Sequence, residues 1–327
     1  MAVTAGTAPP RLVVLRALGL GDLLTAVPAL RALADAFPRH VRLLAAPRSL
    51  AGLAARIGAV HGVVDTDLRR GPAPAPAVAL HEGLRDAALA VNLHGRGPQS
   101  HRLLLATRPR RLVAFAHPEV EAAQAGPAWA DDEHEVSRWC RLLEAHGIGT
   151  DPGRLDIAVD ADPAARGATV IHPGAASPAR RWPADRWSAV ARSEAAAGRR
   201  VLVTGSTDEA GLARRVAAGA PLADDAVLAG RTSVLELAGV VAGAERVACA
   251  DTGVAHLATA VGTPSVVLFG PTPPSRWGPP ADRPWHRVLW AGSRGDPHDG
   301  RPDAGLLGIT VADVVQALAH LPAPVRR

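Results

Sequence analysis

Short runs of Val, Ile and Leu alternate with alanine- and leucine-rich helical runs, and this alternation occurs twice along the chain. The first set is RLVVLR (11–16), HVRLLAA (40–46), GVVDT (62–66), ALAVNL (88–93) and RLVAFA (111–116). The second is ATVIHP (168–173), RRVLVTG (199–205), DAVLAG (225–230), RVACA (246–250), SVVLFG (265–270) and HRVLWAG (286–292). A strand that is apolar along its length needs cover on both faces, and a helix between successive strands supplies it. The chain length of 327 residues accommodates two such units of about 150 residues each. The predicted fold is α/β, with two Rossmann-like, doubly wound parallel-sheet domains at 1–160 and 161–327 facing each other across a cleft. Their joint is placed near DIAVDADPAARGATV, which is rich in Asp, Pro and Gly. The last helix, 310–321, takes Thr310 as its cap with Asp313 in its first turn. It is expected to pack back on the N-terminal domain. GPAPAPA (71–77) reads as a loop extended by its prolines.

Composition narrows the class. Hydrophobic residues make up 48% and charged residues 20%, a globular balance. Apolar runs stop well short of the roughly 20 residues that a membrane span needs. No basic region precedes the first apolar run, so no signal peptide is read and a cytoplasmic location is expected. The pI of 10.8 is not a nucleic-acid signature. The chain has no Lys and no Tyr, so almost nothing titrates between pH ~9 and ~12. A net charge of +5 then suffices to raise the pI. Aromatic residues are 3%, a poor supply of base-stacking platforms, and no nucleic-acid partner is expected. Weak attraction to an anionic inner membrane face or an acidic substrate fits the charge. Without Lys there is no Walker A loop. Cys140 and Cys249 sit in apolar surroundings and read as buried free thiols.

In open parallel sheets, ligands bind beyond the carboxyl ends of the strands, so the candidate residues lie just after each strand. After the first strand, Gly19 and Gly21 free the turn and Asp22 stands where a helix begins. This is no dinucleotide fingerprint, because Leu24 holds the place of the third glycine. Asp22 reads either as a helix-capping acid or as a functional one. After the fourth strand, His94, Arg96, Gln99 and Ser100 crowd a strand-to-helix turn, as ligand groups or as turn chemistry. After the first strand of the second half, Gly174, Ala175, Ala176 and Ser177 form a small-residue loop followed by Arg180 and Arg181. Such a loop suits phosphate oxygens or is a solvated surface turn. ADTGVAH (250–256) puts Asp251, Thr252 and Gly253 at a strand-to-helix junction. The helix start favours an anionic diphosphate, Asp251 can accept from sugar hydroxyls, and Thr252 can donate to a phosphate. His256 follows one turn on, either beside that site or as a structural histidine. DTD (65–67) and GDPHDG (295–300) have a passing likeness to metal motifs but read as solvated acids and a loop.

Taken together, GLGDLLTAVPALRAL, IHPGAASPARRWPADRW and the long run from LAGRTSVLELAG to DTGVAHLATAVGTPSVVLFGPTPPSRWGP resemble glycosyltransferase family 9, the group of ADP-heptose:lipopolysaccharide heptosyltransferases. The resemblance covers nearly the whole chain and is strongest from 168 to 279. It implies a GT-B fold with the acceptor on the N-terminal domain and the nucleotide sugar on the C-terminal one. It implies inverting transfer without a metal or other cofactor, from an ADP-heptose-like co-substrate to a glycan or glycolipid of the cell envelope. By resemblance, Asp22 is the base, and with the acceptor on its domain Gly21, His94, Arg96 and Gln99 are the acceptor-side candidates. Arg180, where the family usually has Lys, takes the donor phosphates beside Gly174, Ala175, Ala176, Ser177 and Arg181. Asp251, Thr252, Gly253 and His256 bind the donor, and Glu236 contacts its ribose. Peripheral contact with the inner membrane face is expected.

The reading is a sugar-nucleotide-dependent glycosyltransferase. Its rivals are a sugar-nucleotide epimerase or hydrolase on the same frame, and a non-catalytic nucleotide-sugar-binding protein. Asp22 discriminates, because a pure binder needs no acid opposite the donor.

Overall fold

The structure, a computed structural model, describes residues 8–66 and 82–323. The GPAPAPA loop and Asp67 of the DTD motif lie outside the described residues. The chain divides into two compact units, Met1–Arg154 and Leu155–Arg327, a few residues ahead of the joint placed at 160.

The first unit runs β1 (Arg11–Leu15), α1 (Leu20–Thr25), α2 (Val27–Ala36), β2 (Val41–Ala46), α3 (Ala51–Ile57), β3 (Gly62–Asp65), β4 (Leu89–Asn92), α4 (Gln99–Leu105), β5 (Leu112–Val113) and α5 (Glu135–Glu144). Its sheet is parallel throughout, in the order β3-β2-β1-β4-β5. The central strands are the unbroken apolar ones. Leu12 to Leu15 and Leu89 to Val91 are buried, as strands covered on both faces must be. The run expected over 111–116 pairs as a strand only at Leu112 and Val113. It lies at the sheet edge, where one neighbour alone offers hydrogen bonds.

The second unit runs β6 (Thr169–His172), α6 (Ala184–Ala196), β7 (Val201–Val203), α7 (Ala210–Gly219), α8 (Val234–Gly243), β8 (Arg246–Ala250), α9 (Gly253–Val261), β9 (Ser265–Phe269), α10 (Pro274–Trp277), β10 (His286–Trp290), α11 (Ala304–Gly308) and α12 (Val311–Ala319). This sheet is also parallel, ordered β10-β9-β8-β6-β7. Trp182 and Trp187 are buried edge-to-face with ring centroids 4.9 Å apart, and the Trp182 indole donates to the Ile309 carbonyl at 3.1 Å. Cys140 and Cys249 are buried free thiols, and burial raises both above the ordinary thiol range.

One expectation is corrected. DAVLAG is not a sixth strand: residues 224–226 form a 3-10 turn, and a single bridge joins Val227 to Val203. The extended run ends at once because Gly230 turns into the left-handed region at φ 74°. Val314 and Leu318 of α12 are buried in the same core as Trp182, Trp187 and Val190 of the second unit, and the Arg246 guanidinium donates to the Leu318 carbonyl.

Each sheet reverses its strand order once. In the first unit the chain leaves β1 for β2 and β3 on one side, then returns to β4 on the other, with Leu15 beside Asn92. In the second it leaves β6 for β7 and returns to β8, with His172 beside Cys249. Beyond the carboxyl ends of such a pair the flanking loops part, which leaves a crevice. Among the described residues no helix is long and apolar enough to cross a membrane.

Candidate active-site residues

The switch point of the first unit carries Asp22 after β1 and His94 after β4. Asp22 sits in the first turn of α1, and its Oδ2 accepts the Gly19 N–H at 3.1 Å. The capping role open in the sequence is therefore real, and it leaves Oδ1 to face the Arg16 guanidinium at 3.3 Å. Arg16 is 1% exposed. It donates to the Asp22 carbonyl at 2.9 Å, to the Leu93 carbonyl at 2.5 Å and to Glu135 Oε1 of α5 at 3.0 Å. Its guanidinium lies 4.6 Å above the Trp139 ring. Glu135 in turn accepts from Arg138 and from the Trp139 indole. The buried carboxylate is thus paired on all sides, the condition for keeping a charge out of water.

His94 follows Leu93, and its backbone N–H is held by Asn92 Oδ1 at 2.9 Å. Burial, with the Arg16 charge adding to it and Asp22 opposing, pushes the imidazole down to about 4. It is neutral near pH 7, and its buried Nδ1 has no hydrogen-bond partner among the described residues. Gly21 is half-buried beside Asp22, while Arg96 and Gln99 are exposed at the turn into α4. Ser100 is turned inward and accepts from the Asn92 amide at 2.9 Å.

The switch point of the second unit carries the small-residue loop after β6 and the Asp-Thr-Gly junction after β8. Gly174 is buried against Glu209 at the start of α7, and a Cβ there would overlap the Glu209 carboxylate. Glu209 itself accepts from the Ser206 N–H and hydroxyl. Ala175 is buried, and its carbonyl accepts from Arg181 at 2.8 Å, so Arg181 braces the loop. Ala176 is exposed. Ser177 caps a 3-10 turn over Pro178–Arg180 by accepting the Ala179 N–H, and donates to the Asp299 carbonyl at 3.3 Å.

Arg180 emerges from that turn and lies against Asp251. It donates to the Asp251 carbonyl at 3.3 Å, with the carboxylate 3.9 Å from the same group. Its buried Nε has no partner among the described residues. Asp251 is 4% exposed, and burial pushes its carboxyl up to about 6, against the downward pull of Arg180. Thr252 is the cap of α9: its Oγ1 accepts the Val254 N–H at 3.2 Å, which leaves its own proton free to donate. Gly253 is the first residue of that helix. His256, one turn on, meets Trp277 of α10 edge-to-face at 5.7 Å.

The structure thus brings Arg180, Asp251, Thr252 and Gly253 together, and separately Asp22 with His94. Glu236 is exposed and closes the N-terminus of α8 with Ser233, accepting its N–H at 2.7 Å. The bond to that backbone N–H, with the Ser233 hydroxyl, holds its carboxyl below the ordinary range. Where described, the acids of the metal-like motifs hold backbone N–H groups: Asp65, at the end of β3, accepts from Arg48, and in the loop Asp296 accepts from His298 and Asp299 from Arg301. Among the described residues no group of three or more His, Cys, Asp and Glu could hold a metal ion. Sequence reasoning missed Arg16, Glu135, Glu209 and Trp277. Arg16 had left one signal, a charge closing an otherwise apolar strand.

Two doubly wound parallel units, each with an acid at its switch point, define a double-Rossmann protein of the GT-B type. Solved structures agree on that fold. Over 94% of the chain, it superposes on E. coli ADP-heptose lipopolysaccharide heptosyltransferase II with a TM-score of 0.75 at 19% identity, covering 97% of that chain. It superposes likewise on E. coli heptosyltransferase WaaC with ADP, with a TM-score of 0.70 at 21% identity, over 94% of this chain and 99% of that one. The profile of glycosyltransferase family 9 (heptosyltransferase) matches residues 120–294, and the chain belongs to that family. A stretch of 116 residues, 35% of this chain, is 38% identical to lipopolysaccharide heptosyltransferase 1 of Pseudomonas aeruginosa. That match spans about a third of the relative, 32% of its length.

Proposed function

We propose that the protein is an inverting glycosyltransferase that moves a heptose-like sugar from a nucleoside diphosphate, of the ADP-heptose type, to a hydroxyl of a cell-envelope glycan or glycolipid. The observation that carries this reading is the seat of Arg180 beside Asp251 at the start of α9, with a buried Nε left unpartnered. A guanidinium with spare donors next to a helix N-terminus fits a diphosphate. In this reading Arg180, Thr252 and the first N–H groups of α9 hold the diphosphate, and Asp251 accepts from the donor sugar's hydroxyls. Asp22 takes the proton of the acceptor hydroxyl as its oxygen attacks the anomeric carbon. The bond from that carbon to the diphosphate breaks on the opposite face, and the diphosphate leaves with the electron pair. The neutral imidazole of His94, with Arg96 and Gln99, lines the acceptor side.

No metal enters this scheme, because Arg180 and the helix dipole neutralise the leaving group. Activity is expected to survive excess EDTA, and a strict requirement for a divalent ion would overturn this part. The enzyme is expected to act in the cytoplasm, with weak peripheral contact at the anionic inner membrane face. Co-sedimentation with anionic vesicles at low and high salt reads that contact. The donor is tested with a thermal-shift series of ADP-, GDP-, UDP- and dTDP-sugars, where binding at 100 times Kd stabilises by about 2.7 kcal/mol. Stabilisation by ADP-heptose above the others supports the reading. No response to any of the four overturns it.

A further inference from the structure

The Arg16 guanidinium touches more of the first unit's switch point than any residue named from the sequence. It ends β1, reaches the carbonyl and carboxylate of Asp22 on α1, the carbonyl just before His94 on β4, and Glu135 on α5. Its donors are all directed at acceptors of the fold, and it lies flat over Trp139. A planar fork held on several sides is rigid in a way that an ammonium is not. The other charges facing this cluster are Arg138, 2.6 Å from Glu135, and Glu133, 3.9 Å from Arg138.

We propose that Arg16 is a positioning residue for the transfer, fixing the Asp22 carboxylate against α1 and the β4 turn that presents His94 in a single geometry. The proposal rests on the reading of Asp22 as the base. Arg16 is 1% exposed with every contact made inside the fold, so it acts through Asp22 and His94 rather than on a substrate. Its charge also bears on His94, which it helps to hold neutral. Glu135 anchors the guanidinium from the far side, so a helix more than a hundred residues along the chain sets the position of the acid.

The test compares Arg16→Met, Arg16→Lys and Asp22→Asn with the parent protein. Turnover is followed as ADP release from ADP-heptose, with a heptose-deficient lipopolysaccharide core as acceptor. Two NMR readouts need no substrate: hydrogen exchange of the Gly19 amide, which reports its bond to Asp22, and the titration of the His94 ring. A misplaced carboxylate lowers kcat by about tenfold to a hundredfold in Arg16→Met, with the donor KM unchanged. The Gly19 amide then exchanges faster, and the His94 midpoint rises because a neighbouring positive charge is gone. Arg16→Lys keeps the charge, so it holds His94 near its parent midpoint. It still loses several-fold in kcat and in Gly19 protection, because one ammonium cannot span the same acceptors.

A folded Arg16→Met with parental kcat and Gly19 protection overturns the proposal. Should that variant lose the fold, Arg16→Lys decides, and full turnover with parental Gly19 protection overturns it there. The two readings fail separately. Normal turnover by Asp22→Asn removes the base, whereas a slow Asp22→Asn beside fully active Arg16 variants removes only the role of Arg16.

Discussion

Asp22 and Asp251 share a local signature, an acid and a glycine where a parallel strand gives way to a helix at a switch point, yet they live in opposite surroundings. The Asp22 side chain keeps 26% of its exposure, accepts a backbone N–H and faces the Arg16 guanidinium at 3.3 Å. The Asp251 side chain keeps 6%, and its nearest cation stands 3.9 Å away, beyond hydrogen-bond reach. The first carboxylate is wet and its charge is countered. The second is dry, and burial raises its carboxyl to about 6. A group that must take a proton from an incoming hydroxyl needs room and a fixed geometry. A group that must accept hydrogen bonds from a bound sugar gains from the dry site, where each bond is stronger.

The sharpest way to break this comparison is Asp22→Asn, which keeps size and capping ability but removes the proposed base. Loss of general base catalysis lowers kcat by about 10²–10⁴-fold, with donor affinity and melting temperature near those of the parent. Steady-state kinetics checks it, and near-normal turnover would reduce Asp22 to a helix cap.

Next in size is Arg180→Ala. Charge-assisted bonds to a diphosphate contribute about 1.5–3 kcal/mol, so donor and nucleoside diphosphate affinity should fall roughly ten- to a hundredfold. Calorimetry with ADP and ADP-heptose measures this. Unchanged affinity would move the phosphate site away from the loop and make Arg181 the next candidate.

A smaller effect separates the two acids by pH. If ionised Asp251 is what accepts from the donor sugar, donor affinity should weaken by about tenfold per pH unit below the Asp251 midpoint near 6. The stability effect has the opposite sense. The native carboxyl holds its proton up to about 6, whereas the unfolded one releases it near 3.8. Between these values the native state binds more protons, so stability present below 3.8 is lost as the pH rises to about 6. Asp251→Asn removes that loss. It should gain stability over the parent at neutral pH and less so in acid, while binding the donor more weakly. Denaturant midpoints of both proteins across this range check the sign, and a gain that does not grow with pH would mean that burial does not raise the Asp251 carboxyl.

The smallest effect concerns the cap of α9. Thr252→Ala removes the acceptor for the Val254 N–H and should cost about 1 kcal/mol in unfolding free energy. Thr252→Ser keeps the oxygen and should restore the stability. Donor affinity that drops with the alanine and returns with the serine assigns the free hydroxyl proton to the diphosphate. Affinity indifferent to both leaves Thr252 a cap and nothing more.

Much of the candidate site was legible because strand-to-helix junctions are local. The runs ending at Leu15, Asn92, His172 and Ala250 are readable as buried strands, and the polar residues after them fall at their carboxyl ends. What lay after DAVLAG was not legible. Its apolar run matches the others, but a left-handed Gly230 and a single neighbouring strand stop it after one bridge. Arg16 and Glu135 were missed for a different reason. Neither carries a motif, and their 3.0 Å contact joins residues 119 positions apart.

The amino-acid sequence by itself determined the alternation of strands and helices, the two-unit division and the acids at the strand ends. Those features follow from burial of unbroken apolar runs and from the chemistry of single turns, which neighbouring residues set. Only the tertiary structure decided that β1 lies beside β4 and β6 beside β8, which makes crevices of those particular ends. It alone seated α12 in the core of the second unit, and it alone separated two acids of like signature into a countered one and a dry one. Strand order, ion pairing across the chain and the protonation of a buried carboxyl all depend on which distant groups exclude water. Periodicity along a sequence does not contain that distance.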